Sequence, residues 1–135
     1  MAAPPIRGFT HVSLSVGSLE ASLGFYRGLL GLATLAEPFE GTAFGGREAM
    51  LLAGRTALCT QEHRHRSGEV FDPLRSGLDH ISFAVGSLEE LREFADHLTT
   101  SDVAHSGVKP LRGFGHLIEL RDPDGVLVEL HCLST

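Results

Sequence analysis

An internal repeat constrains this chain more than any other feature. Residues 11–25 (HVSLSVGSLEASLGF) align with residues 80–94 (HISFAVGSLEELREF) at a constant offset of 69 positions. Eight of the fifteen aligned residues are identical, including the polar Gly-Ser-Leu-Glu corner. A self-similar segment of this kind indicates two copies of one supersecondary unit. The sequence therefore predicts two similar modules rather than one undivided fold.

Each copy begins with a strand pattern and continues with a helix pattern. Apolar and polar residues alternate over 11–16 and again over 80–85, which is the period of a half-buried strand. Ser18 and Ser87 then stand where helix N-caps are expected, and Glu90 completes a capping box with Ser87. Leucine and phenylalanine recur at helical spacing after both serines, so one stripe of each helix is expected to pack on a sheet.

Three further strand patterns follow each helix. They cover 34–37, 47–53 and 56–61 in the first copy, and 105–109, 116–121 and 126–132 in the second. We predict an α+β fold of two βαβββ modules within a single domain of residues 1–135, with modules at 6–62 and 78–135 and a connector at 63–77. Because each helix covers only one face of its sheet, the two curved mixed sheets are expected to enclose a cavity, with the helices outside.

Composition narrows the kind of partner. Seventeen acidic residues against eleven basic ones give a net charge of −6, which disfavours nucleic acid and anionic membrane surfaces. No apolar run is long enough to span a membrane, and residues 1–5 do not resemble a secretion signal. Two cysteines are too few for a disulfide framework and fit a reducing compartment. We therefore expect a cytoplasmic protein that binds a small molecule.

Two of the eight histidines stand at equivalent positions of the repeat. His11 and His80 both lie on the strand face that alternates with the apolar, helix-facing residues. Glu129 occupies the corresponding face of the last strand, where an unpaired carboxylate among apolar neighbours is costly to bury. Two imidazoles and one carboxylate can hold a divalent ion such as Zn, Fe, Ni, Mn or Co, with coordination positions open to substrate.

The repeated segments and the ending Arg121-DPDGVLVEL-His131 resemble the vicinal oxygen chelate superfamily, which includes glyoxalases, extradiol dioxygenases, thiol transferases and metal-free bleomycin-binding proteins. The resemblance covers nearly the whole chain. It implies one divalent metal held by His11, His80 and Glu129, and often a homodimer. In some members, modules of two chains build one cavity, and the sequence does not choose between the two arrangements.

A fourth ligand position of this superfamily falls in the last strand of the first module. Transferring the separation between His80 and Glu129 to His11 lands on residue 60, so a slip of one or two residues decides the ligand. Gln61 is favoured as ligand or supporting group, whereas Glu62 points away unless the strand bulges. Cys59 and His63 share the face of Gln61 and stay open as alternatives.

Five further residues are candidates for substrate contact. Ser13 and Ser82 follow the two histidines on the same face and leave room for a ligand. Glu119 and Arg121 line the neighbouring strand, although a cross-strand ion pair explains them equally well. His131 shares the face of Glu129 and is placed to support the metal site or contact the substrate.

These residues predict a metal-dependent lyase or isomerase of glyoxalase type that chelates two oxygens of a small substrate. Glu129 is then the candidate catalytic residue, as metal ligand and proton carrier. An Fe(II) extradiol dioxygenase and a thiol transferase are alternative enzymes. A metal-free drug-binding or metabolite-binding protein is the alternative outside enzyme catalysis.

Overall fold

The computed structural model describes residues 2–41 and 43–133, and this part of the chain divides between Ser67 and Gly68 into two compact units. The first unit contains β1 (His11–Ser15), α1 (Leu19–Leu23), β2 (Ala33–Glu40), β3 (Gly46–Ala53) and β4 (Thr56–His63). The second contains β5 (His80–Ala84), α2 (Leu88–Thr100), β6 (Lys109–Pro110), β7 (His116–Arg121) and β8 (Leu127–Cys132). The predicted α+β fold of two βαβββ modules is confirmed.

Both units use the same sheet topology. The strand orders are β1-β4-β3-β2 and β5-β8-β7-β6, with the first and last strands of each unit parallel and the other pairs antiparallel. A parallel pair needs a crossover, and in each unit the helix with its following strands makes it. This topology brings the opening strand of each repeat beside the closing strand of the same unit.

Capping side chains fix where the helices begin. Ser18 Oγ accepts a hydrogen bond from Ala21 N at 3.2 Å, and Ser87 Oγ accepts one from Glu90 N at 3.1 Å. α1 continues as a π-helical segment, Gly24–Leu29, and ends where Gly31 adopts a φ of +77°. Both predicted N-caps and the predicted stop at Gly31 are confirmed. Among the described residues, neither helix is long and apolar enough to cross a membrane.

Each helix packs on the middle strands of its own sheet. The buried side chains of β1 are Leu14 and, just beyond it, Val16, whereas His11, Ser13 and Ser15 are exposed. The alternation continues in β8, where Val128, Leu130 and Cys132 are buried. We call the other side of each sheet, turned away from its own helix, the far face. The candidate residues on β1, β5 and β8 all lie on far faces.

The boundaries of three strands differ from prediction by two residues or more. β2 runs to Glu40, three residues beyond the predicted end at residue 37. β4 runs two residues beyond the predicted end at residue 61, because its pairing with β3 continues without a break from Thr56 to His63. The predicted strand at 105–109 shrinks to β6 and an isolated bridge between His105 and Leu120. Ser106 diverts the backbone there, since its Oγ bonds Gly107 O and Glu119 N.

Two glycines extend the repeat into the loops. Gly46 and Gly115 are 69 positions apart and have φ angles of +123° and +85°. A Cβ at these sites would lie 2.1 Å from Glu62 O and 1.9 Å from Cys132 O. Any side chain would clash with the backbone of the closing strand, so both hairpins need glycine to approach it.

Candidate functional site

The far face of the second unit carries a row of polar side chains across three strands. Ser82 of β5 pairs with Glu129 of β8, and Glu129 pairs with Glu119 of β7. Residues in register share a face of the sheet. This register puts Ser82, Glu119 and Glu129 side by side on the far face of the second sheet.

His80, two residues before Ser82 on the same face of β5, lies beside Glu129. His80 Nε2 lies 3.5 Å from Glu129 Oε1, and the Glu129 side chain is only 13% exposed. The half-buried carboxylate therefore has an imidazole beside it, which meets the need for a partner that its apolar strand neighbours create.

Asp79 holds the other side of the His80 ring, with its Oδ1 2.6 Å from His80 Nδ1. The pKa of His80 is raised, chiefly by this hydrogen bond to Asp79 and further by the charges of Glu129 and Glu119, while burial opposes the shift. A metal ion bound at Nε2 must therefore displace a proton that this environment favours.

The His80–Glu129 pair fits two ligands of one metal ion. With metal–ligand distances of about 2.1 Å, two ligands at a tetrahedral angle lie roughly 3.4 Å apart. The observed 3.5 Å between Nε2 and Oε1 matches that spacing, and the carboxylate on Nδ1 is a common support for a metal-binding histidine. Within residues 2–41 and 43–133, no three His, Cys, Asp or Glu side chains gather closely enough to hold an ion. The second unit thus offers a two-residue half-site that needs a further ligand.

Glu119 forms an ion pair with a lysine of the edge strand. Its Oε2 lies 2.9 Å from Lys109 Nζ on the edge strand β6. A cross-strand ion pair, considered above as an explanation for Glu119, therefore exists with Lys109. Arg121 Nη1 instead donates to Gly125 O at 2.9 Å, in the turn that closes the β7–β8 hairpin.

His131 is engaged with a loop. Its Nε2 bonds the carbonyl oxygen of Phe114, in the short connection between β6 and β7. The Phe114 side chain at the tip of that connection is 63% exposed. His131 therefore anchors the backbone of this connection at the residue that carries the exposed aromatic ring.

The first unit places His11 as the second places His80. Each is the first residue of the opening strand, and His11 Nδ1 lies 3.0 Å from the hydroxyl of Thr10. Beside it in the sheet, Ser13 pairs with Cys59 of β4. His11 and Ser13 thus occupy the far-face positions predicted for them.

Hairpin length settles which residue of β4 matches Glu129. Ser13 pairs with Cys59 just as its repeat partner Ser82 pairs with Glu129. The β3–β4 turn contains two residues, 54–55, whereas 123–125 form a three-residue turn closed by the Asp122–Val126 backbone bond. One extra residue shifts the repeat offset from 69 to 70, so Cys59 is the register equivalent of Glu129, and the favoured Gln61 is that of His131.

Cys59 is a weak metal ligand as it stands. It is 2% exposed, and burial raises the pKa of its thiol, with a smaller opposing effect from a hydrogen bond with Ser13. The thiolate is the form that binds metals. The first unit therefore offers His11 without a carboxylate to match Glu129.

The other two candidates for the fourth position have different contacts. Glu62 lies on the helix side of β4, where its Oε2 accepts a 2.7 Å hydrogen bond from Leu19 N at the start of α1. No bulge brings it to the far face, as its strand direction predicted. His63 Nε2 lies 3.2 Å from Ser15 Oγ. The rings of His63 and Phe44 meet edge-on, with their centroids 5.7 Å apart.

Sequence reasoning missed Asp79, Thr10 and Lys109. A signal for the first two was present, because both precede a repeated histidine and are themselves 69 positions apart. Lys109 gave no such signal, since β6 is only two residues long and shows no alternation.

The fold and the repeat have counterparts among known proteins. Residues 8–130 match the Glyoxalase/Bleomycin resistance protein/Dioxygenase superfamily. A glyoxylase/bleomycin resistance protein/dioxygenase domain from Frankia sp. EAN1pec is 29% identical, with a TM-score of 0.83 over 96% of this chain and 94% of that one. A comparison with functionally curated proteins gives no match.

Two more distant structures share the fold. Lactoylglutathione lyase from Agrobacterium tumefaciens is 18% identical, with a TM-score of 0.71 and 96% of both chains covered. A mutant fosfomycin resistance protein, FosX, from Listeria monocytogenes, complexed with Mn(II) and 1S,2S-dihydroxypropylphosphonic acid, is 21% identical, with a TM-score of 0.70 over 96% of this chain and 95% of that one. With the match over residues 8–130, these likenesses lead to one conclusion: the chain belongs to the Glyoxalase/Bleomycin resistance protein/Dioxygenase superfamily.

Proposed function

We propose that this protein is a metal-dependent, glyoxalase-like lyase or isomerase that acts on a small oxygenated substrate. His11, His80 and Glu129 would hold one divalent ion, and Gln61 would support the site from β4. The observation that carries the proposal is the His80–Glu129 pair, with Nε2 and Oε1 3.5 Å apart and Asp79 on the remaining ring nitrogen. Imidazole nitrogen with carboxylate oxygen suits Zn, Ni, Mn, Fe and Co.

A bound ion would supply Lewis acidity to two vicinal oxygens of the substrate. Glu129 is the group placed to move a proton. Its carboxylate lies largely out of water beside His80. A base in such surroundings can take a proton at Oε2, the oxygen not assigned to the ion, from the carbon next to a carbonyl and return it to the neighbouring carbon. His80 would bind the ion through Nε2 beside this carboxylate.

The surrounding far-face residues would orient the substrate. Ser13 and Ser82 are small, so they leave space above the two opening strands and offer hydroxyls. Glu119 and Arg121 would contact polar groups of the substrate from β7, and His131 would act through the loop that carries Phe114. These assignments rest on the registers that place each residue on a far face.

Metal affinity tests the proposal directly. Isothermal titration of Mn(II), Zn(II), Ni(II), Co(II) and anaerobic Fe(II) into the metal-free protein should give stoichiometric binding by at least one ion. Glu129→Gln and His80→Ala should each weaken that binding by about 100-fold or more, because a lost ligand costs several kcal/mol. His65→Ala and Glu93→Gln, which alter exposed residues elsewhere, should not.

Deuterium exchange tests the reaction. The loaded protein is incubated with α-hydroxycarbonyl compounds in D₂O, and NMR should detect deuterium entering the carbon next to the carbonyl. Glu129→Gln should abolish the exchange. A protein that binds none of the five ions would overturn the proposal, and oxygen consumption with catechols in place of exchange would assign the dioxygenase alternative. The single tyrosine cannot serve as an acid or base for the dioxygenase alternative, since Tyr26 is fully buried in the core.

A homodimer, a cytoplasmic location and the absence of nucleic-acid or membrane partners stay predictions. The net charge of −6 supports a small-molecule partner over a polyanion. Sedimentation equilibrium tests the dimer, which a mass near 14.5 kDa at micromolar concentration would contradict.

A further inference from the structure

Both repeated histidines are held through the same ring atom by the residue that precedes them. Asp79 Oδ1 lies 2.6 Å from His80 Nδ1, and Thr10 Oγ1 lies 3.0 Å from His11 Nδ1. Thr10 and Asp79 stand just before the first residue of their strands. Because Thr10 and Asp79 lie outside the strands, the alternation of side chains does not direct them to the opposite face. Each short side chain can therefore reach the ring of the histidine that follows it.

The two contacts differ chemically. Two carboxylates flank the ring of His80, and Asp79, 2.6 Å from Nδ1, is a closer acceptor than Glu129, 3.5 Å from Nε2. A neutral His80 therefore favours its single proton on Nδ1, which leaves the Nε2 lone pair for a metal ion. A hydroxyl both donates and accepts, so Thr10 tolerates either tautomer of His11. The second unit therefore presents a histidine fixed in the tautomer that binds metals through Nε2, whereas the first does not fix this tautomer.

We propose that Asp79 is a positioning residue that fixes His80 as the dominant histidine ligand, and that Thr10 gives His11 a weaker form of the same support. This inference rests on the metal site proposed above. A carboxylate behind a metal-bound imidazole fixes its orientation and raises its basicity, and loss of such a partner typically weakens metal binding about 10–100-fold. The affinity for the ion is therefore expected to depend more on Asp79 than on Thr10.

Titration of Mn(II) into four variants tests the metal-binding part. Asp79→Ala should weaken binding about 10–100-fold. Asp79→Asn should weaken it less, because the amide oxygen can still accept from Nδ1–H while the charge is gone. Thr10→Ala should change it by less than about threefold. Asp96→Ala, an exposed aspartate on α2, is the matched control and should bind as the wild type does.

Ring ¹⁵N chemical shifts of the metal-free protein supply a second measurement. They report the tautomer of His80, which would not change if Asp79 contributed only to the stability of the fold. At a pH where His80 is neutral, the wild type should show the Nδ1–H tautomer. Asp79→Ala should shift the ring toward Nε2–H, and Thr10→Ala should leave His80 unchanged.

Two results would overturn the inference: an Nε2–H tautomer of His80 in the wild type, or an Asp79→Ala variant with unaltered Mn(II) affinity. If the wild type bound no metal at all, the proposed function would fail, while the tautomer measurement would still decide the role of Asp79.

Discussion

Gln61 and Glu62 are neighbours in β4, and the alternation of the strand gives them opposite surroundings. Alternation alone predicted that Glu62 points away from the far face, and the structure agrees. The contact it makes instead was not predictable, because its carboxylate meets the backbone N–H of Leu19, 43 positions away in sequence. Periodicity specifies a side-chain direction, whereas the group found in that direction depends on tertiary packing.

Glu62 should stabilise the fold through this contact. Its carboxylate satisfies a free N–H at the start of α1 and lies 3.3 Å from Arg47. Removal of a helix-capping oxygen costs about 0.5–2 kcal/mol. Glu62→Ala, which removes both oxygens, should lower the free energy of unfolding in urea by this amount at neutral pH. Glu62→Gln should lower it by less, because its amide oxygen can still accept from Leu19 N, and the exposed control Glu93→Gln should leave it unchanged.

The pKa of Glu62 predicts how this stabilisation depends on pH. The hydrogen bond from Leu19 chiefly lowers the pKa of Glu62 below its ordinary value of 4.5. The stabilisation by Glu62 should therefore be complete above about pH 4.5 and should fade as the pH falls through the lowered pKa. A wild-type advantage over Glu62→Gln that stayed constant throughout acid titration would contradict the role of the charge.

At the scale of elements, hairpin length explains why Cys59, and not the favoured Gln61, is the register equivalent of Glu129. The repeat offset of 69 holds from the opening strands through Gly46 and Gly115. It becomes 70 only beyond the Pro-Asp-Gly turn at 123–125, which is one residue longer than the turn at 54–55. Pro-Asp-Gly is typical of a turn, but the number of residues that the turn takes out of strand pairing depends on which backbone pair closes the hairpin. This difference moves the equivalent position to Cys59.

Gly46 and Gly115 should be the most sensitive glycines in their hairpins. An alanine at either site combines a strained positive φ with a Cβ inside 2.2 Å of a carbonyl oxygen of the closing strand, at 2.1 and 1.9 Å. Each Gly→Ala change should lower the free energy of unfolding by more than about 2 kcal/mol.

Gly54→Ala separates the two causes of this loss. Gly54 has a φ of +60° but nothing within 4 Å of an added Cβ, so its alanine variant should show only the backbone strain of roughly 1–2 kcal/mol. Urea unfolding of the three variants measures the difference. Equal losses at Gly46, Gly115 and Gly54 would show that the close approach contributes nothing.

At the scale of the whole molecule, the two units repeat one fold but carry different chemistry. The second unit pairs Glu119 with Glu129, while the register puts Met50 opposite Cys59 at the same place in the first. The repeat predicted the two-module fold and singled out His11 and His80. It could not reveal this asymmetry in partners, because Lys109 acts through a contact that no periodicity encodes, and the match between Cys59 and Glu129 depends on hairpin length. The charged half of the proposed site accordingly belongs to the second unit.

The proposed ligand set takes one residue from the first unit and two from the second, so bound metal should stabilise both. An ion at 100 times its dissociation constant adds about 2.7 kcal/mol to the free energy of unfolding. Mn(II) should therefore raise the Tm of the wild type, and EDTA should reverse the change. Hydrogen exchange should slow in β1 as well as in β5 and β8. In His11→Ala the slowing should be lost from β1 and weakened in β5 and β8. Slowing confined to the second unit of the wild type would instead mean that His80 and Glu129 bind the ion without His11, and the three-residue ligand set would then be wrong.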